Sequence, residues 1–302
     1  RTIFQPVNRP LCQLPKCTPL SHYLFLRNII STKHCFVKTG NSKIFLISLY
    51  LGVQSLPLML QCFQEVLTMN KTKTILKTAG FVLLFAVVLL LLGVLWLTIR
   101  EYRPRPIESL PPPSGARILS NKATFRVMTF NTGYAGLDKS EDFFMDGGTR
   151  VQPDSQKQVQ DNLKGIEKIL SDNPADVYFL QEVDTDSKRS YHLNEAEYYE
   201  NALNMDSVFA CNFKCDFVPY PLPPIGKVNS GLLTLTDLHA DSASRISLPE
   251  SFTWPIKTCN LKRCMLETRI PLKDTDAELV LINFHLEAYD SGEGKEAQSK
   301  ML

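Results

Sequence analysis

Residues 81–99 carry no charged side chain, and their apolar positions run all round a helix rather than along one face. At about 1.5 Å per residue such a helix crosses most of a hydrocarbon core of about 30 Å, with Trp96 near one end as an interfacial anchor. No small-x-small cleavage pattern follows before Arg100, which predicts a retained anchor over residues 69–100 with its span at 81–99. Pro104, Pro106, Pro111, Pro112 and Pro113 then predict an extended spacer over residues 101–120. Beyond it the periodicity changes. Residues 125–130 alternate like a strand, and Val159, Leu163, Ile166, Ile169 and Leu170 share a helix face that Asn173-Pro174 terminates. Residues 177–180, 231–235 and 278–283 are apolar runs of strand length, so residues 121–302 read as one domain of mixed strands and helices.

Upstream, residues 1–68 mix prolines, cysteines and isolated apolar patches with one acid, Glu65, whereas Met69 opens a short basic lead into the apolar run. We expect translation to begin at Met69 and residues 1–68 to be a non-native or disordered upstream segment. The competing reading is a second hydrophobic helix over residues 44–60, broken by Gly52 and Pro57. Charge divides the chain in the same way: residues 1–120 hold 14 Lys/Arg against 3 Asp/Glu, and residues 121–302 hold 19 against 28. An acidic domain argues against counterion-driven binding along duplex DNA and suits divalent cations. Lys71, Lys73 and Lys77 before the span balance Arg100, Arg103 and Arg105 after it, so loop charge does not orient it. A short N-terminal tail remaining in the cytoplasm would put the C-terminal domain on the extracytoplasmic side.

Three polar residues close three apolar strands: Asn131 after Met-Thr-Phe, Glu182 after Tyr-Phe-Leu-Gln, and His285 after Leu-Ile-Asn-Phe. Side chains at strand ends project into the loops that form a site mouth. A carboxylate supplies hard oxygen to Mg²⁺, while an amide and an imidazole can donate to phosphoryl oxygens, so the set suits phosphoryl chemistry. Taken singly, each is explained as well by a turn residue, a solvated strand end or a core histidine.

The surrounding motifs, Arg126-Val-Met-Thr-Phe-Asn131-Thr-Gly, Val-Tyr-Phe-Leu-Gln-Glu182-Val-Asp and Val-Leu-Ile-Asn-Phe-His285-Leu-Glu-Ala, resemble the endonuclease/exonuclease/phosphatase superfamily and occur in that family's order. The resemblance covers about 180 residues. It implies an α/β (α+β) fold, a four-layer αββα sandwich of two mixed sheets, and hydrolysis of phosphodiesters or phosphomonoesters with Mg²⁺ or Mn²⁺. Members include deoxyribonuclease-I-like nucleases, sphingomyelinases and inositol-phosphate phosphatases. By motif, Glu182 is similar to the metal-binding glutamate, Asn131 to the amide at the phosphate or metal-bound water, and His285 to the phosphate-contacting histidine. Lys262-Arg263-Cys264-Met265-Leu266 is similar to the strand that brings an arginine near the phosphate, which makes Arg263 a candidate; Asn229, in Asn229-Ser230-Gly231, is a weaker one. The family's Gly-Asp-x-Asn and Ser-Asp-His motifs do not occur before Leu302, so the expectation is a sandwich incomplete at its C-terminus, a truncated chain and little activity from it alone.

The resulting expectation is a membrane-anchored, divalent-metal-dependent phosphoesterase acting on a phospholipid or inositol-phosphate headgroup or on nucleic acid. The alternative is a non-catalytic membrane-anchored binding module of the same fold. Cys211, Cys215, Cys259 and Cys264 admit a zinc site or disulfides, but their spacings lack the tight Cys-x2-Cys of common ribbons, and four separate small apolar residues in and near strands is the favoured reading. The aromatic, proline-rich residues 217–225 read as a rigid connection or as a lip able to touch a bilayer or substrate.

Overall fold

The structure, a computed structural model, describes residues 34–39, 42–47, 56–140 and 142–302. The expectations for residues 1–33, 40, 41 and 48–55, the last of which fall within the competing helix over residues 44–60, lie outside the described residues. The chain divides into two units, residues 1–82 and 83–302. In the first, β1 (His34–Thr39) pairs antiparallel with β2 (Ser42–Ile47). Helix α1 (Leu56–Arg100) runs without interruption through Met69. Among the described residues it is the one helix long and apolar enough to cross a membrane, over Lys71–Arg100, and none of its most apolar window is buried in the protein.

The second unit is built on two mixed sheets. One has the order β5 (Val127–Asn131), β6 (Val177–Asp184), β8 (Gly226–Thr236), β7 (Asp206–Val218). Strands β5 and β6 are parallel, and β8 runs antiparallel to both its neighbours. The other has the order β11 (Glu278–Phe284), β10 (Cys264–Lys273), β9 (Ser242–Ser247), β3 (Ile107–Leu110), with β4 (Leu119–Ser120) parallel to the end of β10. Strands β3 and β4 both come from the proline-rich stretch that the sequence reads as a spacer. Its prolines flank the paired residues rather than interrupt them, so the extended backbone remains free to join the sheet.

A parallel β5–β6 pair needs a crossover, and helix α2 (Gln156–Asp172) provides it. The Ser155 hydroxyl accepts from the Gln158 N–H at the start of α2, and the backbone turns out of it at Asn173, before Pro174. Val159, Leu163, Ile166 and Leu170 are buried, while Ile169 is exposed at the rim. At about 100° per residue Ile169 lies about 80° round the helix from Val159. Helix α3 (Glu195–Leu203) packs beside α2, and Ala196 and Tyr199 join a core with Tyr178, Leu180, Leu233 and Leu235 on the outer face of the first sheet. Between the sheets, Val177, Leu238, Ile270 and Leu281 form one cluster, and Val208, Leu232, Cys264 and Leu266 another. Strands β6 and β8 are buried on both faces, which is why their sequences are apolar runs instead of alternations. A short fourth helix, α4 (Glu293–Ser299), follows β11.

Polar groups also tie the sheets together. The Gln181 amide donates to Asn283 Oδ1 at 2.8 Å, and Asn283 Nδ2 donates to the carbonyls of Leu180 and Leu233 at 3.2 and 3.1 Å. Buried Arg245 of β9 donates to the Cys211 carbonyl of β7 at 2.8 Å and to the Lys262 carbonyl at 2.8 Å. The first of these clamps sits immediately below the strand ends that carry the candidate site.

Candidate active site

Strand β5 ends at Asn131, whose parallel partner on β6 is Gln181, the residue before Glu182. Between Leu180 and Val183 the β6–β8 register shifts, and Glu182 adopts φ 58°. Regular alternation would put Leu180 and Glu182 on the same, helix-covered face. The bulge instead sends Val183 to that face with Tyr178 and Leu180 and releases Glu182 from the core. A non-glycine residue at this φ is a local strain held by its surroundings. Here the Thr132 hydroxyl lies within hydrogen-bond distance of the carbonyls of both Gln181 and Glu182, at 3.0 and 3.1 Å, which fixes the bulge against the end of β5.

The released carboxylate meets two partners. Asn131 Nδ2 donates to Glu182 Oε1 at 3.0 Å, while Asn131 Oδ1 accepts from the Gly133 N–H at 2.9 Å. The right-handed helical conformation of Thr132, φ −81° and ψ −14°, folds the Gly133 N–H back to the side chain of Asn131. From the other sheet, His285 follows β11 directly, and its Nε2 lies 3.3 Å from the same Oε1 of Glu182. The clamp from Gln181 to Asn283 joins the residue before Glu182 to the residue two before His285, and so sets the two sheet ends in register. Thus the structure brings Asn131, Glu182 and His285 into one hydrogen-bonded group spanning both sheets.

Burial alone would raise the Glu182 carboxyl. Hydrogen bonds from His285 and Asn131, with the positive charge of Arg189, outweigh it and hold the group down at about 2. Arg189 in turn is held by fully buried Asp184 through two contacts of 2.9 Å and lies over the Tyr134 ring, 3.8 Å from its centroid. Beside the group, buried Arg263 pairs with Glu287 at 3.5 Å. The Tyr289 phenol is pushed up by burial and by the charges of Asp146 and Glu182, and its N–H donates to Glu287 Oε1 at 3.2 Å. Asn229 lies on β8, where its N–H donates to Ser187 Oγ and its side-chain oxygen faces the Cys211 thiol. Cys211, Cys215, Cys259 and Cys264 are free. Burial pushes the thiols of Cys211 and Cys215 up to about 11 and that of Cys264 up to about 12.

Among the described residues no group of three or more His, Cys, Asp or Glu side chains could hold a metal ion. The donor set does fit a looser mode. Both described contacts to Glu182 fall on Oε1, so the ionised carboxylate keeps Oε2 for a cation. Mg²⁺ is commonly held by one or two carboxylates, with water and substrate phosphate filling its remaining positions. Reasoning from sequence missed Gln181, Asn283, Asp184, Arg189 and Tyr289. A polar side chain inside an otherwise apolar strand was the available signal for Gln181 and Asn283; the others lie in loops or at a strand end where polar residues are ordinary.

No protein-family model matches the chain, and no curated protein matches it. Among solved structures, an endonuclease/exonuclease/phosphatase from Beutenbergia cavernae DSM 12333 is similar at 18% identity and a TM-score of 0.43. The match covers 59% of this chain and 42% of that one, so this chain spans less than half the length of the protein it matches. The similarity is a distant and partial one to a protein of that fold.

Proposed function

We propose that the chain belongs to a membrane-anchored, divalent-metal-dependent phosphoesterase, which hydrolyses phosphodiester or phosphomonoester bonds by attack of water. The observation that carries this reading is the meeting of Asn131, Glu182 and His285, from three strand ends and two sheets, around one carboxylate oxygen. Glu182 stays ionised through the physiological range and is the ligand for Mg²⁺ or Mn²⁺. When bound, the ion would stabilise the negative charge gathering on the phosphoryl oxygens. Asn131 orients the carboxylate, and with substrate present its Nδ2 is the donor to a non-bridging oxygen. His285 donates from Nε2 to the charge that develops there. Arg263, released from Glu287, is the further phosphate-binding cation, and Asn229 is a weaker candidate for contacting substrate. Tethering by α1 raises the local concentration of phospholipid or inositol-phosphate headgroups, the substrate class we favour over nucleic acid given the acidic domain. We assign the domain to the extracytoplasmic side.

A single ligating carboxylate also favours a second reading, a membrane-anchored binding module of the same fold. Full-length protein in detergent, assayed with bis-p-nitrophenyl phosphate and Mg²⁺, separates the two. On the enzymatic reading His285→Ala slows hydrolysis by about 10²- to 10³-fold, and Glu182→Gln does so at least as strongly. Mn²⁺ binding that depends on Glu182 without turnover selects the binding module. The absence of both binding and turnover would overturn Glu182 as a metal ligand.

A further inference from the structure

The last turn of α1 is engaged by two loops of the sandwich. The Trp254 indole donates to Thr98 Oγ1 at 3.1 Å, and Arg100 Nε lies 2.6 Å from Asp216 Oδ2 at the end of β7. Leu97 and Ile225 both pack on the cluster of Phe213, Cys215, Val218 and Val228. Around these contacts the loops turn their largest apolar side chains outward: Leu222 is 87% exposed, Tyr220 72% and Trp254 59%, with Phe217 and Ile256 also exposed. Singly, exposed apolar residues mean little, but five grouped about one helix end form a patch that requires a partner.

We propose that residues 217–225 and 254–256 form a seating rim that dips into the interfacial layer of a lipid bilayer where α1 leaves it. This inference rests on the reading of α1 as a membrane anchor. The level follows from the contacts: the uncharged run ends at Ile99 and the chain turns charged at Arg100, so the headgroup boundary falls at Thr98 to Arg100, the residues held by Trp254 and Asp216. Trp and Tyr favour that layer, because an amphipathic ring there has one side in hydrocarbon and its polar atom among hydrogen-bond partners. The partner is therefore lipid rather than protein, since the patch continues a helix whose own apolar surface is unburied. The rim also meets the segment before α2, where Tyr220 lies edge-on to Phe144 with ring centroids 6.4 Å apart.

The chain's two tryptophans make this testable in the full-length protein reconstituted in phosphatidylcholine vesicles. With Trp96→Phe, emission reports Trp254 alone; with Trp254→Phe, it reports the span. We expect Trp254 to be quenched by phosphatidylcholine brominated near the headgroup end of its acyl chains and shielded from aqueous iodide. Paired Tyr220→Ser and Leu222→Ser replacements should reverse both effects. Trp254 open to iodide and indifferent to bromolipid, while Trp96 is quenched by bromolipid, would overturn the rim and leave the anchor standing. If Trp96 also escapes bromolipid, the anchor falls and the rim with it. Quenching of Trp254 without quenching of Trp96 would overturn the proposal as well, since the rim is placed by the level at which α1 leaves the bilayer.

Discussion

At Glu182 two opposing effects meet, and the hydrogen bonds win over burial. Because its carboxyl sits below its ordinary value in the folded protein, it contributes stability that is complete above the unfolded value near 4.5 and is lost as pH falls toward about 2. Removing a donor with His285→Ala should weaken that acid-side dependence, which denaturation midpoints measured from roughly pH 5 down to pH 3 would register. Glu195 is the opposite case. Burial and the neighbouring charge of Asp184 push its carboxyl well above 4.5, so the folded chain retains a proton that the unfolded chain gives up, and stability falls as pH rises above that value. Glu195→Gln, neutral and nearly isosteric, should raise the melting temperature at pH 7 and have little effect at pH 4. At this scale, Asn131, Glu182 and His285 were legible as polar residues closing apolar strands. Tyr289 was not, since an aromatic residue in a loop carries no pattern that distinguishes a neighbour of the site from an ordinary surface residue.

Among the elements, β6 and β11 matter most, because the distance between their ends sets the separation of Glu182 from His285. Asn283 is the joint: it accepts from Gln181 and donates to two backbone carbonyls in the core. Asn283→Ala would leave these groups buried without partners, and we expect a loss of about 2–3 kcal/mol in denaturant unfolding, with weakened Mn²⁺ binding as the sheet ends drift apart. By contrast Ser155→Ala, which removes one cap from α2, should cost about 1 kcal/mol and leave the site unchanged. The apolar stripe of α2 could be read directly from its spacing, as could the strand character of β6, β8 and β11. The pairing of β3 with β9 could not, because proline-rich extended chain has the same local signature whether it spans solvent or edges a sheet.

For the whole molecule, the contrast between a basic, apolar front and an acidic sandwich makes membrane attachment the first property to measure. We expect the full chain to remain in the membrane pellet after an alkaline carbonate wash, and Leu89→Arg with Leu91→Arg to release it, each arginine costing about 2.5–3.5 kcal/mol at mid-span. Local sequence set the long apolar helix, the alternation of strands and helices and the residues at the strand ends, since periodicity and side-chain type act over a few neighbours. Contacts across the two sheets set the rest: the bulge that turns Glu182 outward, the partners that keep it ionised, and the seating of the Trp254 loop against Thr98. Each joins residues far apart along the chain, and such pairings are specified by packing and by the satisfaction of buried polar groups, which no short stretch of sequence contains.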